Sequence, residues 1–259
     1  MTNQLMSVSF ILCLCNLFMS SRIKKLPTPD AVKEMGVDIW LLDTDRLNAT
    51  ENDFALLSKG EQYRCTELKN EESRQQFVVT RSMLRQLLAE KLSCAPKEIK
   101  FFYTEAKRPV IDYPITRLNF SVSHSRDMSL FVLSENNPVG IDIENNNKDI
   151  DPLTIAETVF SRREIKRLMS CDQVLRHKLF YRIWTIKESL LKMLGVGFLI
   201  DPRSVCVDHV LGENTLINLH LEKIAESFYK NNDSFPEKAE IIELSIDAMH
   251  TAMLALGHA

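Results

Sequence analysis

A chain of 259 residues, 45% hydrophobic and 26% charged, has ordinary globular composition and enough length for one large core or two smaller ones. Its net charge of −3 excludes a general nucleic-acid coat, so any basic site is local. The six cysteines, Cys13, Cys15, Cys65, Cys94, Cys171 and Cys206, form no Cys-x-x-Cys pair and no paired metal spacing, which argues against a zinc framework and for a reduced compartment.

In chain order, residues 8–19 are apolar and are followed, not preceded, by the basic group Arg22, Lys24 and Lys25. The stretch is shorter than the about 20 residues of a membrane span and lacks the basic flank and cleavage site of a secretory signal. It reads first as sequence upstream of the true start, with the domain beginning near Lys25 to Met35. A packed or disordered extension is the second reading and an anchor the last. Gly36-Val37-Asp38-Ile39-Trp40 is strand-like, and Leu84, Leu88 and Leu92 space a helix over residues 81–92. Arg81 stands at the start of that helix; Arg85, one turn on, reads equally as a solvated residue. Residues 101–103, 119–122 and 129–134 are strand candidates. Residues 139–144 follow as a further strand, 145–148 as a mobile turn, and Arg162, Arg163, Lys166 and Arg167 as a basic helical face. Ile183, Ile186, Leu190 and Leu194 form the buried stripe of a helix that stops at Gly195. Residues 204–209, 215–221, 239–246 and 251–256 read as antiparallel strands, and 231–236 as a loop.

Three pieces recur. Gly36-Val37-Asp38-Ile39-Trp40 parallels Gly140-Ile141-Asp142-Ile143-Glu144 at an offset of 104 residues, and Leu57-Ser58-Lys59-Gly60-Glu61 parallels Phe160-Ser161-Arg162-Arg163-Glu164 at 103. Arg81-Ser82-Met83-Leu84 parallels Lys187-Glu188-Ser189-Leu190 at 106. The expected fold is α+β, with two similar α/β subdomains related by a pseudo-two-fold axis and the active site in the cleft between them, an isologous dimer inside one chain. Residues 1–35 form an N-terminal extension, 36–135 the first repeat and 136–259 the second.

Strand alternation puts Asp142 and Glu144 on one face and Ile141 and Ile143 on the other. Glu188 and Lys192, four apart on a helix, share a face. Three carboxylates converging from a strand and a helix suit Mg²⁺, a hard cation that prefers oxygen ligands and is often shared with substrate phosphates. The adjacent lysine points to phosphate chemistry. In the register above, Asp38, Trp40 and Ser82 replace the three acids in the first repeat, so one metal site is expected. The remaining histidines, His177, His209, His220, His250 and His258, carry no signal.

Taken in order, Val139-Gly140-Ile141-Asp142-Ile143-Glu144, Val159-Phe160-Ser161-Arg162-Arg163-Glu164 and the run from Phe180 through Trp184, Lys187-Glu188 and Lys192 to Gly197 resemble the signature of 4'-phosphopantetheinyl transferases. Leu118-Asn119-Phe120-Ser121-Val122-Ser123-His124-Ser125 is similar to that family's Asn-x-Ser-x-Ser-His-Ser segment, and Ala106-Lys107-Arg108-Pro109 to its Gly-Lys-Pro segment. Here Lys107 replaces the glycine, which makes the loop backbone less permissive, and Arg108 replaces the lysine. The resemblance covers about residues 36 to 200 and favours the two-repeat, surfactin-synthetase-activator type.

The resemblance implies transfer of phosphopantetheine from coenzyme A to a serine of an apo acyl, polyketide or peptidyl carrier protein, with release of adenosine 3',5'-bisphosphate. It implies Mg²⁺ held by Asp142, Glu144 and Glu188, of which Glu144 is the least secure ligand. Glu188 is the candidate general base and Lys192 the group that neutralises the transferring or leaving phosphate, with an ordinary Glu188–Lys192 pair as the structural alternative. The division of Glu188 between ligand and base stays open. Arg64, Arg81, Lys107, Arg108 and His124 are the candidates for the 3'-phosphate, Ser123 adding a hydroxyl donor. The first repeat is then the coenzyme A half and the second the catalytic half. The expected enzyme is a cytoplasmic monomer without nucleic-acid or membrane partners. The basic face of residues 162–167 is a solvated surface or steers an acidic carrier, and Glu164 is a helix contact or a neighbour of the metal acids. Competing functions are a Mg²⁺-dependent phosphoester hydrolase and a non-catalytic coenzyme A or carrier-binding module.

Overall fold

The computed structural model describes residues 22–45, 48–146, 150–208, 216–220 and 236–258. The apolar stretch 8–19, most of the loop 231–236 and the second half of the turn 145–148 lie outside the described residues.

The first sheet contains β1 (Ile23–Lys25), β2 (Val37–Asp43), β5 (Asn119–His124) and β6 (Met128–Ser134) in the order β1-β2-β6-β5. The second contains β7 (Val139–Asn145), β8 (Leu216–His220), β9 (Lys238–Glu243) and β10 (His250–His258) in the order β7-β10-β9-β8. All pairings are antiparallel, and β3 (Lys100–Tyr103) and β4 (Pro109–Tyr113) form a separate hairpin. The helices are α1 (Asp30–Glu34), α2 (Glu51–Leu56), α3 (Lys59–Glu67), α4 (Glu71–Leu92), α5 (Pro152–Val159), α6 (Arg162–Met169) and α7 (Gln173–Leu194). Among the described residues no helix is long and apolar enough to cross a membrane.

Period-2 alternation sorts the core into layers. Val37, Ile39, Leu130 and Val132 of the first sheet pack with Ile141, Ile143, Leu254 and Leu256 of the second. Their neighbours Leu42, Phe131 and Leu133 turn the other way, onto Met83, Leu84 and Leu87 of α4. Met253, Ala255 and Ile241 turn onto Ile186, Leu190 and Met193 of α7. The result is helix, sheet, sheet, helix, an α+β fold of two similar halves. β1 and α1, inside the stretch expected as an extension, belong to the first half: Ile23 pairs with Leu42, and Leu26 and Val32 are buried.

The duplication is present with a tighter register than the sequence suggests. β2 and β7 begin at Val37 and Val139, and α4 and α7, each of 22 residues, begin at Glu71 and Gln173, an offset of 102 in both cases. β2 pairs with β6, which pairs with β5, as β7 pairs with β10, which pairs with β9; β1 is an additional edge strand on β2. A capping box starts both α3 (Ser58, Glu61) and α6 (Ser161, Glu164). Each box glutamate then receives a buried cation from the long helix. Arg85 Nε donates to Glu61 Oε2 at 2.8 Å, and Lys187 Nζ lies 2.7 Å from Glu164 Oε2. Arg85 is therefore the counterpart of Lys187, and Trp40, Leu42 and Gln86 are the counterparts of Asp142, Glu144 and Glu188. This corrects the offsets of 104 and 106, which followed side-chain likeness alone. It also corrects Arg85 as a solvated residue: it is 1% exposed and donates to the Pro96 and Ile99 carbonyls.

Two further expectations change. The helix expected over 81–92 starts ten residues earlier, capped by the Asn70 side chain on Ser73 N–H, so Arg81 sits at mid-helix rather than at its start. Residues 204–209 are expected as a strand, of which His209 lies outside the described residues. Pro202–Ser204 is instead a single 3-10 turn, opened by proline at its first position with the Asp201 carboxylate accepting from Arg203 N–H. Gly195 does end α7, in the left-handed conformation at φ 70°.

Gly140 lets α7 lie directly on β7. A Cβ at this position would meet the Ser189 carbonyl oxygen at 2.0 Å and Met193 N at 2.4 Å. Both are helix backbone atoms with nowhere to move. Gly140→Ala is expected to cost about 1–3 kcal/mol, the range for overpacking, read as a lower urea midpoint with unchanged slope.

His250, which the sequence left without a role, clasps the two halves together. Its Nε2 lies 3.0 Å from Asp127 Oδ1 in the β5–β6 turn and its Nδ1 2.9 Å from Asp247 Oδ1. A neutral imidazole donates from one nitrogen only, so two carboxylates require the imidazolium. Burial opposes that charge, but the hydrogen bonds and charges of Asp247 and Asp127 outweigh it and raise the His250 pKa. A raised histidine pKa contributes stability that is complete below the unfolded value of about 6.5 and is lost as pH rises through the folded value. The stability advantage of the parent over His250→Gln should be largest near about pH 6 and shrink at higher pH. Denaturation curves across pH check this, and an advantage that grows with pH would contradict it.

Candidate active site

Where the halves meet, β5 lies beside β7 without a ladder. Ser121 and Ser123 take the place of backbone acceptors: Ile141 N–H donates to Ser121 Oγ at 3.2 Å and Ile143 N–H to Ser123 Oγ at 3.4 Å. Above this seam opens a cleft of about 510 Å³. One wall is Arg64 of α3, Phe77, Arg81 and Leu84 of α4 and Phe120, Val122 and His124 of β5. The opposite wall is Glu188, Leu191 and Lys192 of α7 with Gly195, Gly197 and Phe198, and the β3–β4 turn adds Ala106, Arg108 and Pro109. Six of the sequence candidates thus share one space: Arg64, Arg81, Arg108, His124, Glu188 and Lys192. Lys107, Ser123, Asp142 and Glu144 do not line it.

The first wall is cationic around an aromatic ring. Arg64 and Arg81 stack on Phe77, 5.8 Å and 5.7 Å from its centroid, a contact that orients guanidinium groups while leaving donors free. Burial lowers the Arg81 pKa, with the Tyr103 and Glu61 charges opposing; the guanidinium remains charged. Arg108 Nη1 donates to the Met193 carbonyl at the C-terminal end of α7 at 3.3 Å, where a cation complements the helix dipole. Lys107 is exposed and left-handed at φ 59°. The turn therefore keeps the geometry that favours glycine, and hydrogen bonds from Lys107 N–H to the Thr104 carbonyl and from Arg108 N–H to Thr104 Oγ1 hold it. At His124, burial and the Lys192 and Arg81 charges lower the pKa, which favours the neutral ring until an anion offsets those cations.

Beneath the second wall, Asp142 is 3% exposed. Its Oδ1 accepts from Lys192 Nζ at 2.7 Å and from Ser123 Oγ at 2.7 Å; its buried Oδ2 has no hydrogen-bond partner. Lys192 therefore pairs with Asp142, not with Glu188 one turn earlier. Glu188 has neither an ion pair nor a hydrogen bond among the described residues. Burial, with the Asp142 and Glu144 charges and despite Lys192, pushes its pKa up to about 7. Glu144 accepts from Trp184 Nε1 at 3.0 Å. Burial, with the Glu144 charge adding to it, raises the pKa of the nearby Tyr181 to about 12, and the Tyr181 hydroxyl is buried without a hydrogen-bond partner among the described residues.

Among the described residues no group of three or more His, Cys, Asp and Glu side chains is gathered closely enough to hold a metal ion. The donor chemistry nonetheless fits a hard divalent cation. One carboxylate oxygen of Asp142 is buried and unsatisfied, and the mutual repulsion of Asp142, Glu144 and Glu188 is part of what raises Glu188.

Trp184, which the sequence reading placed in the motif without a role, bonds Glu144 beside the cleft. Its position four residues before Glu188, on the same helix face, was the available signal. Phe77, Phe120 and Phe198 were likewise given no role. Glu164 is a buried structural acid, accepting from Ser161 N–H, Val207 N–H and Lys187. Arg162, Arg163 and Lys166 lie on an exposed helix face, and Arg167 Nη1 lies 3.5 Å from Asp208 Oδ1.

Residues 138–240 match the 4'-phosphopantetheinyl transferase superfamily and residues 47–136 match the family described as 4'-phosphopantetheinyl transferase, N-terminal. The putative 4'-phosphopantetheinyl transferase slr0495 of Synechocystis is 34% identical over 160 residues, 61% of this chain and 65% of its own length. The 4'-phosphopantetheinyl transferase HetI of Nostoc is 30% identical over 62% of this chain and 69% of its own length. The 4'-phosphopantetheinyl transferase Sfp of Bacillus subtilis is 28% identical over 62% and 71%. The chain thus spans about two thirds of the length of these relatives. It belongs to the 4'-phosphopantetheinyl transferase superfamily.

Proposed function

We propose that this protein transfers the 4'-phosphopantetheine group of coenzyme A to a serine of an apo carrier protein. The observation that carries the reading is a single cleft with a cationic aromatic wall on one half and Glu188 and Lys192, backed by Asp142, on the other. Such a cleft suits a ligand carrying a diphosphate and a 3'-phosphate.

In the reaction the serine oxygen bonds to the β-phosphorus of coenzyme A. The bond from that phosphorus to the bridging oxygen breaks, and adenosine 3',5'-bisphosphate leaves with the electron pair. Glu188 takes the serine proton on an oxygen not committed to the metal; in the metal-free protein it titrates near about 7. Lys192 neutralises the leaving phosphate. Arg64, Arg81, Arg108 and His124 hold the 3'-phosphate end, with Lys107 at the rim. Asp142, Glu144 and Glu188 would hold Mg²⁺, which when bound supplies charge neutralisation for the diphosphate. Both halves lie on one chain, so a monomer suffices, and the use of coenzyme A supports the cytoplasm as the working place.

The test is intact-mass spectrometry of apo acyl, polyketide and peptidyl carrier domains incubated with the protein, coenzyme A and Mg²⁺. A gain of one phosphopantetheine, abolished by a chelator, is the expected result. Coenzyme A binding without any gain would leave a binding module, and release of phosphopantetheine without a carrier would leave a hydrolase.

A further inference from the structure

Building on that transferase reading, we infer that Ser123 is a positioning residue for Lys192 and not a phosphate ligand. A hydroxyl has one proton and two acceptor lone pairs. In Ser123 all three are engaged: the proton on Asp142 Oδ1 at 2.7 Å, and the lone pairs on Lys192 Nζ at 2.9 Å and Ile143 N–H at 3.4 Å. The side chain is buried, 5% exposed, and lies outside the cleft lining. A phosphate in the cleft therefore finds no donor on it.

The three side chains close a triangle. Ser123 Oγ and Asp142 Oδ1 each take a donor from the same ammonium, and the serine proton bridges the two acceptors. Lysine has three donors and a long flexible stem. With two donors fixed, the ammonium retains one more, and its side chain is 30% exposed and lines the cleft. Asp142 alone would leave the ammonium free to swing about a single anchor; Ser123 supplies the second. Ser123 is also the one member of the triangle from the first half, so it registers the coenzyme A wall against the catalytic wall.

The experiment compares Ser123→Ala and Ser123→Thr with the parent, each first shown by its melting curve to be folded. In Ser123→Ala, kcat should fall about 10²-fold, the scale of a misplaced catalytic group. The dissociation constant for coenzyme A, measured by calorimetry without a carrier, should stay within about threefold, since binding of the ground state is untouched. Thr keeps the hydroxyl and should restore most of the loss. An independent readout is the Lys192 ζ-ammonium in ligand-free protein by heteronuclear NMR, ordered in the parent and Ser123→Thr and mobile in Ser123→Ala. A coenzyme A affinity that collapses in Ser123→Ala with kcat unchanged would make Ser123 a ligand and overturn the inference. So would an ammonium equally ordered in all three proteins. Should the parent transfer nothing, the transferase reading fails, while the NMR comparison still decides the role of Ser123.

Discussion

Glu188→Gln should lower carrier modification about 10²- to 10⁴-fold, the contribution of a positioned general base, while the protein melts no earlier than the parent. Both halves of the expectation come from one environment. Burial and the neighbouring acids raise the Glu188 pKa to about 7. The folded state then binds a proton that the unfolded chain, titrating near about 4.3, has released. Stability therefore falls as pH rises between the two values, and above about 7 the folded protein carries a carboxylate it would hold more easily protonated. Glutamine removes that penalty at neutral pH. In metal-free buffer the margin by which the variant outlasts the parent should grow as pH rises through the same region. Steady-state rates, paired with melting curves across pH, check the prediction. A variant that keeps parental turnover would remove Glu188 from the chemistry, and one that unfolds would make the residue structural.

Lys187→Met should destabilise the protein by about 3–5 kcal/mol, the cost of stranding one partner of a buried ion pair. Lys187 is 1% and Glu164 0% exposed. The ammonium lies 2.7 Å from the carboxylate and donates to the Pro202 and Val159 carbonyls at 2.9 Å and 3.2 Å. Burial lowers the Lys187 pKa and the Glu164 charge opposes it. Methionine fills similar space but leaves Glu164 charged and two carbonyls without a donor. The Lys187→Met, Glu164→Leu double variant removes the stranded charge and should be more stable than Lys187→Met alone, although it gives up the Glu164 half of the α6 capping box and the acceptor of Val207 N–H. Urea denaturation of the three proteins decides the matter. A loss below about 1 kcal/mol for the single variant would mean that water or rearrangement reaches the pair.

The second half was legible where local periodicity governs. Val139 to Glu144 alternates cleanly, and the stripe Ile183, Ile186, Leu190, Leu194 marks the buried face of α7, so the shared face of Asp142 and Glu144 could be drawn before any fold was known. The beginning of α4 could not, because Glu71-Glu72-Ser73-Arg74-Gln75-Gln76 has no apolar period; its helix is fixed by the Asn70 cap and by packing further on. Val205-Cys206-Val207 alternates like a strand, yet the backbone is already committed to a turn by Asp201 and Pro202. Pairings were the hardest to foresee. Lys192 stands one turn from Glu188 but bonds Asp142, 50 residues away, and Ser123, 69 residues away. His250 shows no local sign of the second carboxylate, 123 residues distant. Such choices are made by tertiary geometry. The cations of the first wall came from family resemblance alone, since scattered arginines have no period.

The missing side chain at Gly140 also settles which wall of the cleft can yield. With helix backbone resting on strand backbone, α7 cannot slide or tilt away from β7 without breaking a contact that has no flexible atom in it. Asp142, Glu188 and Lys192 therefore travel as one rigid jaw. In the first half the equivalent position carries Asp38, and α4 packs on its sheet with side chains such as Met83, Leu84 and Leu87, which can repack. On the transferase reading, widening for a bulky diphosphate ester would fall to that softer jaw, so differences in substrate size among relatives should be written into α4 and β5, while the spacing of Asp142, Glu188 and Lys192 stays constant.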